Sequence, residues 1–260
     1  MLHSFVIPAY NDSAFLEECI LSLKNQSHSS EILICTSTPS DYIRHLVDKY
    51  QIKLWVNENS SSIADDWNFA LSKATTKWIT LAHQDDLYEN NFVKMLLSKV
   101  DKNQDSLIAF TDYKEIIHSK IRSKSTNHRV KNILLFPFWI KSKIKNKFWK
   151  KFPLYFGNPI CCPTVSYNRD KLKGFKFTNQ TTYVLDWMAW LELAEWKGSF
   201  IFIPKKLVIH RIHEHSETSV QLKSNNRREE EKKIFIQIWG KVLGKIMAMI
   251  YNFGHKDNLL

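Results

Sequence analysis

Four apolar runs, SFVIPA (4–9), EILICT (31–36), IKLWV (52–56) and KWITLA (77–82), recur through the first third of this chain. Between them lie segments with helical spacing of apolar residues: SAFLEECILSLKNQ (13–26), SDYIRHLVDKY (40–50) and IADDWNFALSKA (63–74). Asp12 or Ser13 stands where the first of these helices needs an N-cap. A chain that leaves one strand, returns through a helix and enters the next strand builds parallel pairs. The prediction is an α/β fold with a mostly parallel central sheet and helices on both faces. In an open sheet of that kind, ligands bind beyond the carboxyl ends of the strands.

The segments at those ends are polar: PAYND (8–12), STPSD (37–41) and, after the fourth run, HQDD (83–86). Asp85 and Asp86 are adjacent, and two carboxylates in contact repel unless a cation, a shared proton or water relieves them. Two readings are open. Acidic residues at a helix start satisfy free N–H groups and the positive end of the helix dipole. Alternatively, the pair holds a hard divalent cation through oxygen ligands, and that cation neutralises a diphosphate. The position at a strand end, beside two other polar ends, turns the reading towards the cation.

Of 260 residues, 44% are apolar, enough for a sizeable core, and the formal net charge is +11. Such a balance calls for an anionic partner: nucleic acid, nucleotide phosphates or an acidic membrane face. The N-terminus has no basic leader before a long apolar run, and no stretch has the length of a membrane span. Cys19, Cys35, Cys161 and Cys162 show no C-x-x-C spacing, and an adjacent pair is a poor disulfide framework. A reduced cytoplasmic protein is expected.

VIPAYNDSAFLEECILSLKNQ, DWNFALSKATTKWITLAHQDD, VLDWMAWLELA and VIHRIHEHS, in that order, resemble family 2 glycosyltransferases of the GT-A (Rossmann-like) fold over residues 3 to 218. The resemblance implies inverting transfer of a sugar from a nucleotide-sugar donor to a hydroxyl of a glycan or polyprenyl-linked acceptor, of the bacterial surface-polysaccharide type. It places Pro8, Ala9, Tyr10 and Asn11 along the nucleotide pocket, with Asp65 and Asn68 closing it from the third helix. Asp86 is then a ligand of Mn2+ or Mg2+, and Asp85 contacts the donor ribose or the metal's outer sphere. Thr36 and Ser37 stand where the family commonly has two acidic residues, one bonding the nucleotide base, so UDP is favoured by family habit alone. His83 replaces a further Asp that many members carry.

In the second half, TTYVLDWMAWLELAEW (181–196) reads as a helix with Thr182 as cap and Asp186 one turn inside. By its residues Asp186 is an ordinary Asp on an amphipathic helix; by the resemblance it is the general base that deprotonates the acceptor. HRIHEHSETS (210–219) lacks the spacing of a structural zinc site. Its Arg211, His213 and Ser216 resemble the family loop that closes over the donor diphosphate, with His213 a metal or phosphate ligand and Arg211 a charge-assisted partner. His210 and His215 are read as bystanders.

Two basic aromatic stretches remain, 128–156 and 227–253. The first suits an anionic bilayer surface, which would make the protein peripheral on the inner face of the cell membrane. The second is read either in that way or as a solvated helical face over a local core. The expected organisation is a nucleotide-sugar-binding half (1–114), an acceptor and catalytic half with the basic aromatic insertion (115–219) and a helical tail (220–260). Two alternatives stand beside this: a single-stranded nucleic-acid-binding protein, for which no recognisable module is present, and a nucleotide-sugar-binding relative without catalysis. Nucleic acid is not expected as a partner.

Overall fold

In the computed structural model, which describes residues 1–117, 120–122, 125–213 and 225–254, the four apolar runs become β1 (His3–Ala9), β2 (Glu31–Thr36), β3 (Lys53–Val56) and β4 (Trp78–Leu81). They are parallel and lie in the order β3-β2-β1-β4. Helices α1 (Leu16–Lys24), α2 (Asp41–Tyr50) and α3 (Ile63–Lys73) make the crossovers. The chain moves outwards from β1 to β3 and then returns to the opposite flank of β1. That reversal opens a crevice at the carboxyl ends of β1 and β4. Phe5, Val6 and Ile7 have no exposed surface, as a central strand covered on both faces requires.

Beyond β4 the second half of the chain extends the same sheet. β9 (Val165–Asn168) joins β4 antiparallel, followed by β6 (Ser106–Ile117), β10 (Ser199–Ile212) and β5 (Leu87–Tyr88). Two short strands, β7 (Lys120–Arg122) and β8 (Lys143–Ile144), pair with β6 and β10. The parallel order expected from the sequence therefore holds for the first four strands, and the sheet is mixed beyond them. Helices α4 (Phe92–Val100), α5 (Thr126–Leu134), α6 (Phe136–Ile140), α7 (Lys147–Lys151) and α8 (Leu185–Glu195) surround it. The tail is a hairpin of α9 (Asn225–Trp239) and α10 (Lys241–Gly254). Gly240, at φ +77°, makes the turn, and Gly244 lies against the Ile236 backbone where a Cβ would collide.

Several local expectations change in the folded chain. α1 starts at Leu16, not at residue 13: the Ser13 carbonyl and hydroxyl accept from Leu16 and Phe15 N–H groups in a preceding turn. α8 starts at Leu185, and Thr182 does not cap it, because its N–H donates to Glu230 of the tail. In the middle basic stretch Phe138 is buried, and so is Lys150, whose ammonium donates to the carbonyls of Trp196 and Gly198. Burial lowers the Lys150 pKa to about 8. All four cysteines are free thiols.

A buried polar chain crosses the sheet at its centre. The His3 ring contacts Ser30 Oγ at 2.6 Å and Thr80 Oγ1 at 2.8 Å, and Thr80 in turn meets Ser166 Oγ at 2.6 Å. Burial, aided by the charge of His28, depresses the His3 pKa to about 3. Its folded value lies below its unfolded value near 6.5, so the unfolded chain takes up the proton first. The contribution to stability is complete above pH 6.5 and is lost as pH falls towards 3. Urea unfolding at pH 7.5 and pH 5 should show wild type losing about 2 kcal/mol more than a His3→Gln variant, at about 1.4 kcal/mol per pH unit below 6.5. Equal losses would contradict a neutral buried His3.

Candidate active site

The carboxylate pair follows β4 in a tight turn, with the Asp86 N–H donating to the His83 carbonyl. The helix that comes next, α4, begins only at Phe92 and has no side-chain cap. Neither aspartate caps a helix. Instead both carboxylates meet the end of β10. Asp86 Oδ1 accepts from the Arg211 backbone N–H at 2.8 Å and lies 3.0 Å from His210 Nδ1. Asp85 Oδ2 lies 3.0 Å from His213 Nε2. Burial works against ionisation of Asp85, but the His213 hydrogen bond and the neighbouring imidazoles outweigh it and hold its pKa below the ordinary value. For His210 burial works against the cation, and the Asp86 charge and hydrogen bond prevail, raising its pKa. His210, expected to stand idle, is thus a direct partner of Asp86. His215 and Ser216 lie outside the described residues.

Arg211 is fixed by three contacts. Its Nε donates to the Asp85 carbonyl at 2.9 Å, its Nη2 to Glu18 at 2.5 Å, and its guanidinium sits 4.2 Å from the centroid of Phe15. The Phe15 ring also meets His213, with centroids 4.8 Å apart. The start of α1 therefore buttresses the end of β10.

The ends of β1 and β2 complete the crevice. Pro8 is half-buried, Ala9 buried and Tyr10 exposed, and Asn11 turns the chain at φ +52°. The Gln84 amide pairs with the backbone of Tyr10 in both directions, at 3.0 and 3.1 Å, tying β1's end to the aspartate turn. Thr36 is buried and accepts from the Thr38 N–H, whereas Ser37 donates to Asp66 Oδ2 at 2.8 Å. Asn57 donates to the other oxygen of Asp66 at 3.0 Å. A carboxylate thus stands at the end of β2 after all, supplied by α3. Asp65 accepts from the Ser61 and Ser62 hydroxyls at the start of α3, which lowers its pKa. Both polar ends of Asn68 bond the backbone of Phe177.

Asp186 sits in the first turn of α8. Its Oδ1 accepts from the Trp187 N–H at 2.8 Å and its Oδ2 from Asn158 Nδ2 at 2.6 Å. Two tail residues support it: Glu230 accepts from the Thr182 and Tyr183 N–H groups, and the Tyr251 hydroxyl accepts from the Asn158 N–H at 3.4 Å. Burial pushes the thiols of Cys161 and Cys162 up, and the charges of both Asp86 and Asp186 add to that push. Burial lowers the His83 pKa, while Asp86, Asp85 and Asp186 pull the other way. Asp86 and Asp186, from opposite halves of the chain, both bear electrostatically on these buried side chains. Among the described residues His83 Nε2 has no hydrogen-bond partner, and its ring lies 5.4 Å from Trp67.

Comparison with known proteins gives this crevice a context. Residues 4–174 match the family model described as Glycosyl transferase family 2. The UDP-Glc:alpha-D-GlcNAc-diphosphoundecaprenol beta-1,3-glucosyltransferase WfgD of Escherichia coli is 30% identical over 199 residues, which cover 75% of this chain and 70% of that protein. An uncharacterized glycosyltransferase of Haemophilus influenzae is 24% identical over 280 residues, covering 100% of this chain and 83% of its own. Among solved structures, S. aureus TarS 1-349 in complex with UDP-GlcNAc superposes with a TM-score of 0.67 at 17% identity, covering 100% of this chain and 74% of that one. The mannosyltransferase PcManGT from Pyrobaculum calidifontis, in complex with GDP-Man and Mn2+, gives 0.66 at 12% identity, covering 98% and 70%. The folds agree across the whole described chain.

Proposed function

The chain belongs to glycosyl transferase family 2, and from that premise we propose that it moves a sugar, with inversion, from a UDP-sugar to a hydroxyl of a lipid-linked glycan. The observation that carries this reading is the aspartate pair at the end of β4, with Asp86 against the Arg211 N–H and His210 and Asp85 against His213. A nucleotide diphosphate is bound at such strand ends in sheets of this kind. The base is Asp186, with one oxygen held by Asn158 and the other by its own helix.

In the reaction the acceptor oxygen attacks the anomeric carbon from the face opposite the diphosphate. A new C–O bond forms as the bond to the diphosphate breaks, and the electron pair leaves with the nucleoside diphosphate. Asp186 takes the acceptor's proton as general base. Tyr10, Asn11 and the Ser37–Asp66–Asn57 group line the nucleotide's place, with Pro8, Ala9, Thr36, Asp65 and Asn68 shaping it from behind. Arg211 holds the aspartate turn in position through the Asp85 carbonyl.

Asp86, Asp85 and His213 are the residues that would hold a divalent cation, Mn2+ or Mg2+. When bound, the cation supplies neutralisation of charge on the departing diphosphate. The donor set fits: carboxylate oxygens and an imidazole suit these ions, and Asp85 and His213 already converge. Among the described residues no three ligating side chains stand grouped for a metal.

UDP and a lipid-linked acceptor are supported by the substrates in the names of WfgD and TarS. GDP-Man in PcManGT keeps the base a matter for experiment. An anionic membrane surface suits such an acceptor, and the exposed Phe136, Trp139, Phe148 and Trp149 of the basic stretch suit that surface. No helix among the described residues is long and apolar enough to cross a membrane. Nothing in the crevice favours the nucleic-acid alternative.

A panel of UDP- and GDP-sugars with a polyprenyl-diphosphate glycan acceptor tests the reading. Asp186→Asn should keep nucleotide binding by calorimetry while turnover falls by about 10²–10⁴, the range for removing a positioned general base. Equal loss of affinity and rate would take Asp186 out of that role. Asp86→Asn, or EDTA on the wild type, should abolish transfer and weaken UDP binding, because an amide is a poorer ligand for a hard cation. Full activity in either case would reject the metal.

A further inference from the structure

The last helix, α10, has two unlike faces. Inwards, Ala248 is buried and the Tyr251 ring packs against Trp187 and Phe235, at 5.6 and 5.4 Å between centroids. Outwards, Val242, Leu243, Ile246, Met249 and Ile250 are 73%, 56%, 47%, 62% and 61% exposed. At 100° per residue these five fall within about a third of the helix circumference. They form one continuous apolar stripe. The only charged residues of the helix are Lys241 and Lys245, both exposed.

A second exposed apolar patch lies at the other end of a run of aromatic contacts. Phe148 meets Phe152, Phe152 meets Phe156, and Phe156 meets Trp239, with centroids 5.9, 5.3 and 5.5 Å apart. Trp239 is the last residue of α9, one residue from α10. Around Phe148 and Trp149 the cations Lys141, Lys145 and Lys147 are exposed, with Lys145 and Lys147 paired at 3.3 and 3.4 Å to Asp105 and Glu195.

An apolar stripe of this size is not a neutral surface feature. The charge around it selects the occupant. Lys241 and Lys245 border the stripe, and an anionic bilayer offers phosphates to the lysines and its headgroup–acyl boundary to the stripe. We infer that α10 is an interfacial helix that lies on an anionic lipid surface, with the Phe148–Trp149 patch as a second contact. For its purpose the inference rests on the reading of a lipid-linked acceptor. Tyr251, on the inner face of α10, bonds Asn158, which holds Asp186. A docked α10 sets the general base close to the surface from which such an acceptor is presented.

The test is flotation of the full chain with vesicles of phosphatidylcholine alone or containing phosphatidylglycerol. Wild type should float with the anionic vesicles only, and salt should weaken it. A triple variant, Leu243→Gln, Met249→Gln and Ile250→Gln, changes exposed positions only and should keep its melting temperature and UDP affinity while vesicle partition falls about ten-fold or more. Wild type that stays behind at low salt, or a triple variant that floats equally well, overturns the inference. So does a lipid-free dimer by light scattering that the triple variant dissolves, which would make the stripe a self-interface. Affinity for UDP and GDP is read on the same samples: absence of both from wild type would defeat the proposed donor reading without altering the vesicle result.

Discussion

Two adjacent carboxylates at the end of a buried strand are stable only if groups of opposite charge or free N–H donors reach them, and here those groups come from more than 120 residues away. The His210 ring and the Arg211 N–H reach Asp86, and His213 reaches Asp85. This sets a demand on the whole second half of the chain. β10 must run the length of β6, pair with β5 just after the aspartate turn, and end where the imidazoles meet the carboxylates. Arg211 then carries the link onwards to Glu18 and Phe15. The strand-end charge pair thus joins the two halves of the chain into one crevice.

The opposing carboxylate is placed by a different device. Asp186 opens α8 without a side-chain cap, so its own helix leaves the approach unsecured. The tail supplies what is missing: Glu230 takes the N–H groups of Thr182 and Tyr183, and Tyr251 and Asn158 fix the carboxylate from the other side. Gly244 against Ile236 lets the two tail helices pack closely, and Gly157, where a Cβ would strike the Tyr251 ring, lets the tail approach the rest of the chain. The helical tail is therefore part of the site's construction.

Elements that depend on local period were legible in the sequence: β1 to β4, the crossover helices and the polar ends that line the crevice. Asp85 and Asp86 stood out as a like-charged pair at a strand end, and of the two readings open there the folded chain sets aside the helix cap, since α4 begins only at Phe92. What could not be read depends on partners distant in sequence. β9 enters antiparallel beside β4 and carries no local mark of it. His210 looked idle because Asp86 is its partner only in the folded sheet, and Asp66 became the carboxylate at β2's end only through Ser37 and Asn57. Lys150 reads as a surface cation among others until Trp196 and Gly198 present their carbonyls. Asn158 lies in a stretch with no motif, and its role comes from Asp186 alone.

The proposed reaction, with Asp186 as its one base, is a single displacement at the anomeric carbon. The stereochemistry of the product reads this directly. With a UDP-sugar of known anomeric configuration and a defined lipid-diphosphate glycan acceptor, the proton coupling constant at the new anomeric centre reports the linkage formed. The account predicts the configuration opposite to the donor's. Retention would contradict it, because two displacements would then require a nucleophile that this crevice has not been assigned.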